Sequence, residues 1–151
     1  ELSKLRDAMP SAPFAEVRKT LQEDLGKNFS DVFRTIDERP LASASIAQVH
    51  KAILKDGRVA AVKVQHRHAA QRIPQDLLIM RVVAHVVRIL TFGEADAMPL
   101  VNEWLGAVIE ELDFEKEVRS QIKGRNALRD AKVNVIVPEV YTSLCTRRVL
   151  V

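Results

Sequence analysis

Two apolar, β-branched runs joined by Lys55-Asp56-Gly57-Arg58 constrain this chain more than any other feature. Val49 to Leu54 and Arg58 to Gln65 each have the length of one strand. The Asp-Gly step between them is a tight-turn signal, because glycine supplies the positive φ that a short hairpin needs. An antiparallel pair is therefore expected at the centre of the fold. Side chains alternate along a strand, so Val59, Ala61 and Lys63 share one face while Ala60, Val62 and Val64 share the other. A lysine beside a small alanine leaves room for a flat ring and can reach an anion past it. The competing reading is a lysine at a strand's end with its charge in solvent, and spacing alone favours that one.

The flanks extend the pattern. Pro40 suits the start of a strand, since it neither continues a helix nor donates within a ladder. Ala42-Ser43-Ala44-Ser45-Ile46-Ala47 follows, a small-residue turn without one glycine. Upstream, Leu2, Leu5 and Met9 fit the end of a helix, and Pro10 and Pro13 punctuate. Phe14, Val17, Leu21 and Leu25 then fall at helical spacing, with Gly26 where a left-handed cap is wanted. Ser30 is a candidate N-cap for a second short helix carrying Val32, Phe33 and Ile36. Ordinary packing accounts for all of these residues.

Downstream, Pro74 marks an expected helix start ahead of QDLLIMRVVAHVVRILTFG, the most hydrophobic segment. Arg81, His85 and Arg88 form a polar stripe at i, i+4 and i+7, and Asp76 stands at its head. A lipid span needs about 20 predominantly apolar residues, so a mostly buried helix is expected instead. His85 has no Cys or acid at metal-ligand spacing. Pro99 is well placed for a first helical turn, and Leu100, Val101, Trp104, Leu105, Val108, Ile109 and Leu112 form an apolar face. Next comes the acidic cluster Glu110-Glu111-Leu112-Asp113-Phe114-Glu115-Lys116-Glu117, where Asp113 suits an N-cap that resets the helical phase. A new helix would run through Val118 and Ile122 towards Leu128, weakened at Gly124. Val133 to Val137, Val140-Tyr141 and Arg148 to Val151 read as extended, with a hairpin at Cys145-Thr146-Arg147.

Composition bounds the function. The 151 residues suit one domain with a real core. With 23 basic residues mixed among 20 acidic ones, the net charge of +3 indicates no dedicated nucleic-acid surface. The single cysteine, Cys145, excludes an internal disulfide and reads as structural. The chain begins without Met and closes on Val149-Leu150-Val151, so both ends are expected to be cut from a longer protein.

Four motifs together carry a resemblance: PLASASIAQVH (Pro40 to His50), VAAVKVQ (Val59 to Gln65), ELDFEKE (Glu111 to Glu117) and VPEVYTSLCTRRVLV (Val137 to Val151). The chain resembles the N-terminal lobe of the UbiB/AarF-type atypical kinases, a protein-kinase-like family tied to coenzyme Q biosynthesis. The resemblance implies an α+β fold: a five-stranded antiparallel sheet with a glutamate-bearing helix and additional N-terminal and inserted helices. Residues 1–38 would form a helical extension packed on the lobe, and residues 39–151 the lobe itself.

The resemblance also implies a site. In kinases the third-strand lysine pairs with nucleotide phosphates and with a helix glutamate. Lys63 and Glu117 would fill those roles. Ala42, Ser43, Ala44, Ser45, Ile46, Ala47, Gln48, Val49 and Ala61 would join Lys63 around the nucleotide, which is ATP. Mg²⁺ would be held mainly by a C-terminal lobe. Alanines in place of the glycines of a phosphate loop restrict φ and stiffen it, and the resemblance associates that change with altered nucleotide preference and suppressed protein-kinase activity. Glu111 and Asp113 match an acidic motif that engages a Lys-x-Gly-Gln segment upstream. The implied partners beyond nucleotide are membrane lipid or quinone-biosynthesis proteins, with no nucleic acid, in a mitochondrial or plastid setting. This portion alone is expected to be inactive, because phosphoryl transfer needs the metal ligands and catalytic Asp of the other lobe. Two other classes stay open: a nucleotide-binding scaffold without turnover, and a basic helical interaction module.

Overall fold

The computed structural model describes residues 11–26 and 28–151. The helix expected from Leu2, Leu5 and Met9, and Pro10 beyond it, lies outside the described residues. The elements run α1 (Phe14–Leu25), α2 (Phe29–Val32), β1 (Phe33–Ile36), β2 (Ala42–Ser43), β3 (Ala47–Leu54), β4 (Val59–Gln65), α3 (Arg67–Leu90), α4 (Met98–Glu111), α5 (Phe114–Asp130), a 3₁₀ turn (Thr142–Leu144) and β5 (Val149–Leu150).

The β3–β4 hairpin is the spine. Its register pairs Ala47 with Gln65, Val49 with Lys63 and Ile53 with Val59, and Gly57 turns with φ of 87°. β1 and β2 share the free edge of β3, β1 pairing at its C-terminal end and β2 at its N-terminal end, while β5 pairs β4 at Lys63 and Val64. The sheet is five-stranded and antiparallel. Its membership differs from expectation at both ends of the chain. Phe33–Ile36 is a strand rather than helix, and Ser30 lies inside the one-turn α2 instead of capping it. The edge of β3 offers Phe33 and Ile36 a ladder, where Phe33 is buried in the core. That tertiary partner outweighs local helical spacing.

Conversely, Val133 to Val137 and Val140-Tyr141 form no strand. β5 is two residues long, and the Tyr141 amide donates to Val151 O, just past its end, at 2.8 Å. Ile136 is 95% exposed. The turn falls at Arg147-Arg148, closed by the Thr146 amide on Val149 O, one or two residues later than expected.

One face of the sheet carries the core. Ala52, Leu54, Ala60, Val62, Val64 and Val149 meet Val17 and Leu21 of α1. α1 follows its 3.6-residue apolar period and ends at Gly26, whose φ of 56° is the left-handed cap. Its last turn holds Glu23 and Asp24, acids at the negative end of a helix dipole. They are held by cations from elsewhere. Asp24 accepts Thr146 Oγ1 at 2.6 Å and Arg148 Nε at 2.9 Å, and Arg67 binds Glu23 at 2.7 Å. The Arg67 guanidinium, with Arg148 beside it, lowers the Glu23 pKa.

Gln48 ties the start of α1 to the sheet. Its Oε1 accepts the Ala12 amide at 2.7 Å, and its Nε2 donates to Ala12 O at 3.2 Å and to His50 Nε2 at 2.9 Å. With both amide hydrogens used, His50 Nε2 must be the acceptor. The fully buried ring therefore carries its proton on Nδ1, which donates to Asp37 O at 2.7 Å.

The helices beyond β4 correct two expectations. α3 starts at Arg67, and Pro74 lies within it. Nor is α3 mostly buried among its described residues: Ala69, Leu77 and Ala84 are, whereas Leu78, Ile79, Val82, Val83, Val86, Ile89 and Leu90 are exposed. Among the described residues no helix is long and apolar enough to cross a membrane. Pro99 does sit in the first turn of α4.

Replacing Gln48 with Leu should leave the Ala12 groups and the His50 acceptor without partners. Each unsatisfied buried group costs about 1–3 kcal/mol. Ala12 is only half-buried and its groups can turn to water, whereas the His50 acceptor cannot, so we expect a loss of about 2–4 kcal/mol for Gln48→Leu, read as a lower urea midpoint with an unchanged slope.

Candidate functional site

The second face of the hairpin is built differently. Along β4, Ala60, Val62 and Val64 are buried while Val59 and Ala61 are exposed and Lys63 is half-buried. Val49, Ala61, Lys63 and Leu150 therefore open on one cleft of about 360 Å³, closed on its far side by Gln121 and by Pro138 to Tyr141. The volume lies in the range of small-molecule pockets, and an apolar wall with few polar groups suits a flat heterocycle.

Lys63 Nζ lies 2.6 Å from Glu117 Oε2, a residue 54 positions later. The same nitrogen stands 4.5 Å from the centroid of the Phe114 ring. Asp113 makes this meeting possible. As N-cap of α5 it accepts the Glu115 amide at 3.1 Å, and this new helix start resets the phase after α4. The Phe114 amide is held by Arg147 O at 3.1 Å, and its ring, 1% exposed, anchors the first turn of α5 against the sheet. Burying that ring stabilises the contact by about 2–3 kcal/mol. The ion pair itself is half-exposed, and such pairs contribute about 0–1 kcal/mol. Its consequence is therefore direction: the ammonium of a cleft-lining lysine is held between a carboxylate and an aromatic face.

The alanine-rich segment is a two-residue turn between β2 and β3. Ala42 pairs Val49 and Ser43 pairs Gln48, and the Ala44 amide donates to Ala47 O at 2.8 Å around Ser45-Ile46. Neither Ser45 nor Ile46 has positive φ, so the turn needs no glycine. His66, directly after β4, meets it twice: Nε2 donates to Ala44 O at 3.0 Å and the backbone amide to Ile46 O at 2.8 Å. His66 is 4% exposed, and burial lowers its pKa. Nothing in the spacing of Gln65-His66-Arg67-His68 marked this contact, since it depends on where the turn folds back.

Not every expected residue reaches the cleft. Ala42 and Val49 pair on its side of the sheet, and Ala61 and Lys63 of β4 line the cleft. The Gln48 side chain points to the opposite face, is buried and is fully engaged by Ala12 and His50. It cannot contact a ligand above Lys63. The paired Ser43 shares that register, and its buried Oγ has no hydrogen-bond partner among the described residues. Ala47 is buried at the base of the turn, and Ala44, Ser45 and Ile46 form its tip. Of the acidic pair, Asp113 is committed to its cap, and Glu111 is exposed without a partner among the described residues. Cys145 lies half-buried, its Sγ donating to Tyr141 O at 3.3 Å, and burial raises its pKa.

Comparison with known proteins places this arrangement. A family model described as the ABC1 atypical kinase-like domain matches residues 4–151. The chain is 41% identical to AarF domain-containing protein kinase 1 of Xenopus tropicalis over 99% of its own length and 28% of the relative's. It is 31% identical to the chloroplastic protein Activity of BC1 complex kinase 3 of Arabidopsis thaliana, over 99% of this chain and 21% of that one. A Mycobacterium tuberculosis protein solved as an erythromycin complex superposes with a TM-score of 0.77 at 32% identity, covering 99% of this chain and 36% of the other. The chain thus spans under a third of the length of the curated relatives named here.

His66 also sets a pH dependence. Its folded-state pKa lies below the ordinary 6.5, because burial disfavours the cation. Between those two values the unfolded chain binds the extra proton, so stability is full above about 6.5 and falls as pH drops towards the lowered value. Urea midpoints at pH 7.5 and 5.5 should fall more steeply for the wild type than for His66→Gln.

Proposed function

The chain belongs to the ABC1 atypical kinase-like family, and from that premise we propose that it is the nucleotide-binding N-terminal lobe of an ATP-dependent kinase-like enzyme. The observation that carries this reading is the Lys63–Glu117 pair at 2.6 Å on the wall of the cleft formed by Val49, Ala61 and Leu150. The donor set fits ATP: a flat apolar wall for the base, and a directed cation for phosphate. Bound ATP supplies the transferable phosphoryl group. Lys63 binds and orients the phosphates, Glu117 holds the lysine between turnovers, and Phe114 keeps the ammonium off the sheet.

Among the described residues no three His, Cys, Asp or Glu side chains gather as a metal site. Mg²⁺ would accompany the nucleotide and be completed by groups elsewhere in the full-length protein, together with the catalytic Asp that phosphoryl transfer requires. The whole protein transfers a phosphoryl group or hydrolyses ATP in support of isoprenoid-quinone lipid metabolism, in contact with membrane lipid or quinone-biosynthesis proteins. An organellar setting is supported by one relative's chloroplastic name and by the family resemblance.

In the full-length protein, Mg-ATP should raise the melting temperature, and Lys63→Met should weaken nucleotide binding about tenfold or more, the scale of one lost charge-assisted hydrogen bond. Undiminished binding in that variant would remove Lys63 from the site. ATP binding without turnover would instead make the protein a nucleotide-dependent scaffold, and turnover by residues 1–151 alone would overturn the division of labour between the lobes.

A further inference from the structure

The turn Ala44–Ala47 has an asymmetry in its backbone groups. Its carbonyls at 44, 46 and 47 are all engaged, the first two by His66 and the third by the Ala44 amide. The amides of Ser45 and Ile46 have no hydrogen-bond partner among the described residues. No peptide bond among the described residues is cis, and in a trans peptide the C=O and the following N–H point in opposite directions. Because the Ala44 carbonyl is drawn to the imidazole, the Ser45 N–H must face away from it. Ser45 is exposed. A free, outward backbone amide is an anion-binding group.

We propose that His66 is a positioning residue for the alanine-rich turn, fixing its peptide planes so that the Ser45 amide is presented to a phosphate oxygen of the nucleotide. The identity of that anion rests on the function proposed above; the anchoring itself does not. Glycine would let these planes rotate freely, whereas alanine restricts φ, and His66 selects one orientation among those that remain. The backbone half of the anchor, His66 N–H to Ile46 O, survives any substitution except proline. The imidazole half depends on a donor held at one reach from the main chain.

That reach supplies the test. A glutamine Nε2 lies about as far from the main chain as a histidine Nε2, an asparagine Nδ2 falls one bond short, and leucine has no donor. In the full-length protein, hydrogen exchange at the Ala44 amide, which the turn holds against Ala47 O, should quicken about five- to tenfold in His66→Leu and His66→Asn, the scale of one lost hydrogen bond. His66→Gln should keep the wild-type rate. Exchange in the hairpin core, Ala52 and Ala60 to Val62, should be the same in all four proteins, which separates positioning from general destabilisation. Mg-ATP affinity should fall about fivefold in the Leu and Asn variants and be restored in the Gln variant.

Unchanged exchange in both His66→Leu and His66→Asn overturns the anchor. So does a Gln variant that exchanges as fast as the Leu variant. Quickened exchange with unaltered Mg-ATP affinity overturns the phosphate role of the turn. Failure of the wild type to bind Mg-ATP defeats the nucleotide reading, and the exchange rates in the free protein then still decide the anchor.

Discussion

Strand β4 has two sides with opposite demands. Ala60, Val62 and Val64 must be buried against α1, and Ala61 and Lys63 must face the cleft. A one-residue slip against β3 would put an ammonium into the core and three apolar side chains into water. The pairing of Val49 with Lys63 and of Ala52 with Ala60 is therefore held by the hydrophobic effect on one face, and the chemistry of the other face inherits that precision. Glu117, Phe114 and the alanine-rich turn all take their positions from this strand, either by contacting Lys63 or by contacting the residue that follows Gln65.

The two sides are secured by different means. The α1 side is held by the aliphatic core and by two polar clamps at its ends, Gln48 on Ala12 and Arg148 on Asp24. Gln48 shows why a polar residue belongs inside. It gives a backbone amide and carbonyl the partners they need before α1 begins, and it fixes the proton position of His50. The cleft side has little buried area, and half-exposed ion pairs contribute little stability. Its order comes from direction: an N-cap at Asp113 starts α5 where Glu117 can reach the lysine, and His66 holds the turn across the strand's end.

Much of this was legible locally. The Asp56-Gly57 turn, the alternation of β4, the Gly26 and Asp113 caps and the Pro99 start each follow from one residue's backbone or side-chain preference. The misreadings share a cause. Phe33 and Ile36 have helical spacing but lie in a strand, because the edge of β3 was open to them. Val133 to Val137 has strand composition but no ladder, because β5 is too short to offer one. The apolar residues of α3 form a helix, yet most of those described are exposed, since periodicity reports which residues share a face and not what covers it. Gln48 stands within the segment that the family resemblance implies for the nucleotide. Only the register revealed that its side chain turns the other way.

By itself the sequence determined the hairpin, its two faces, the helix boundaries set by caps, and, through its motifs, the kinase-like family. These are consequences of φ preferences and of periods of two and 3.6 residues, which act over a few positions. Tertiary structure decided which distant groups meet: Glu117 with Lys63, His66 with the alanine-rich turn, and Arg148 with Asp24. Those meetings depend on where whole elements dock, and docking follows from burying the single continuous face that α1 and the sheet share. The lysine of VAAVK was visible from the start, but the carboxylate and ring that give it a direction became neighbours only once the chain had folded.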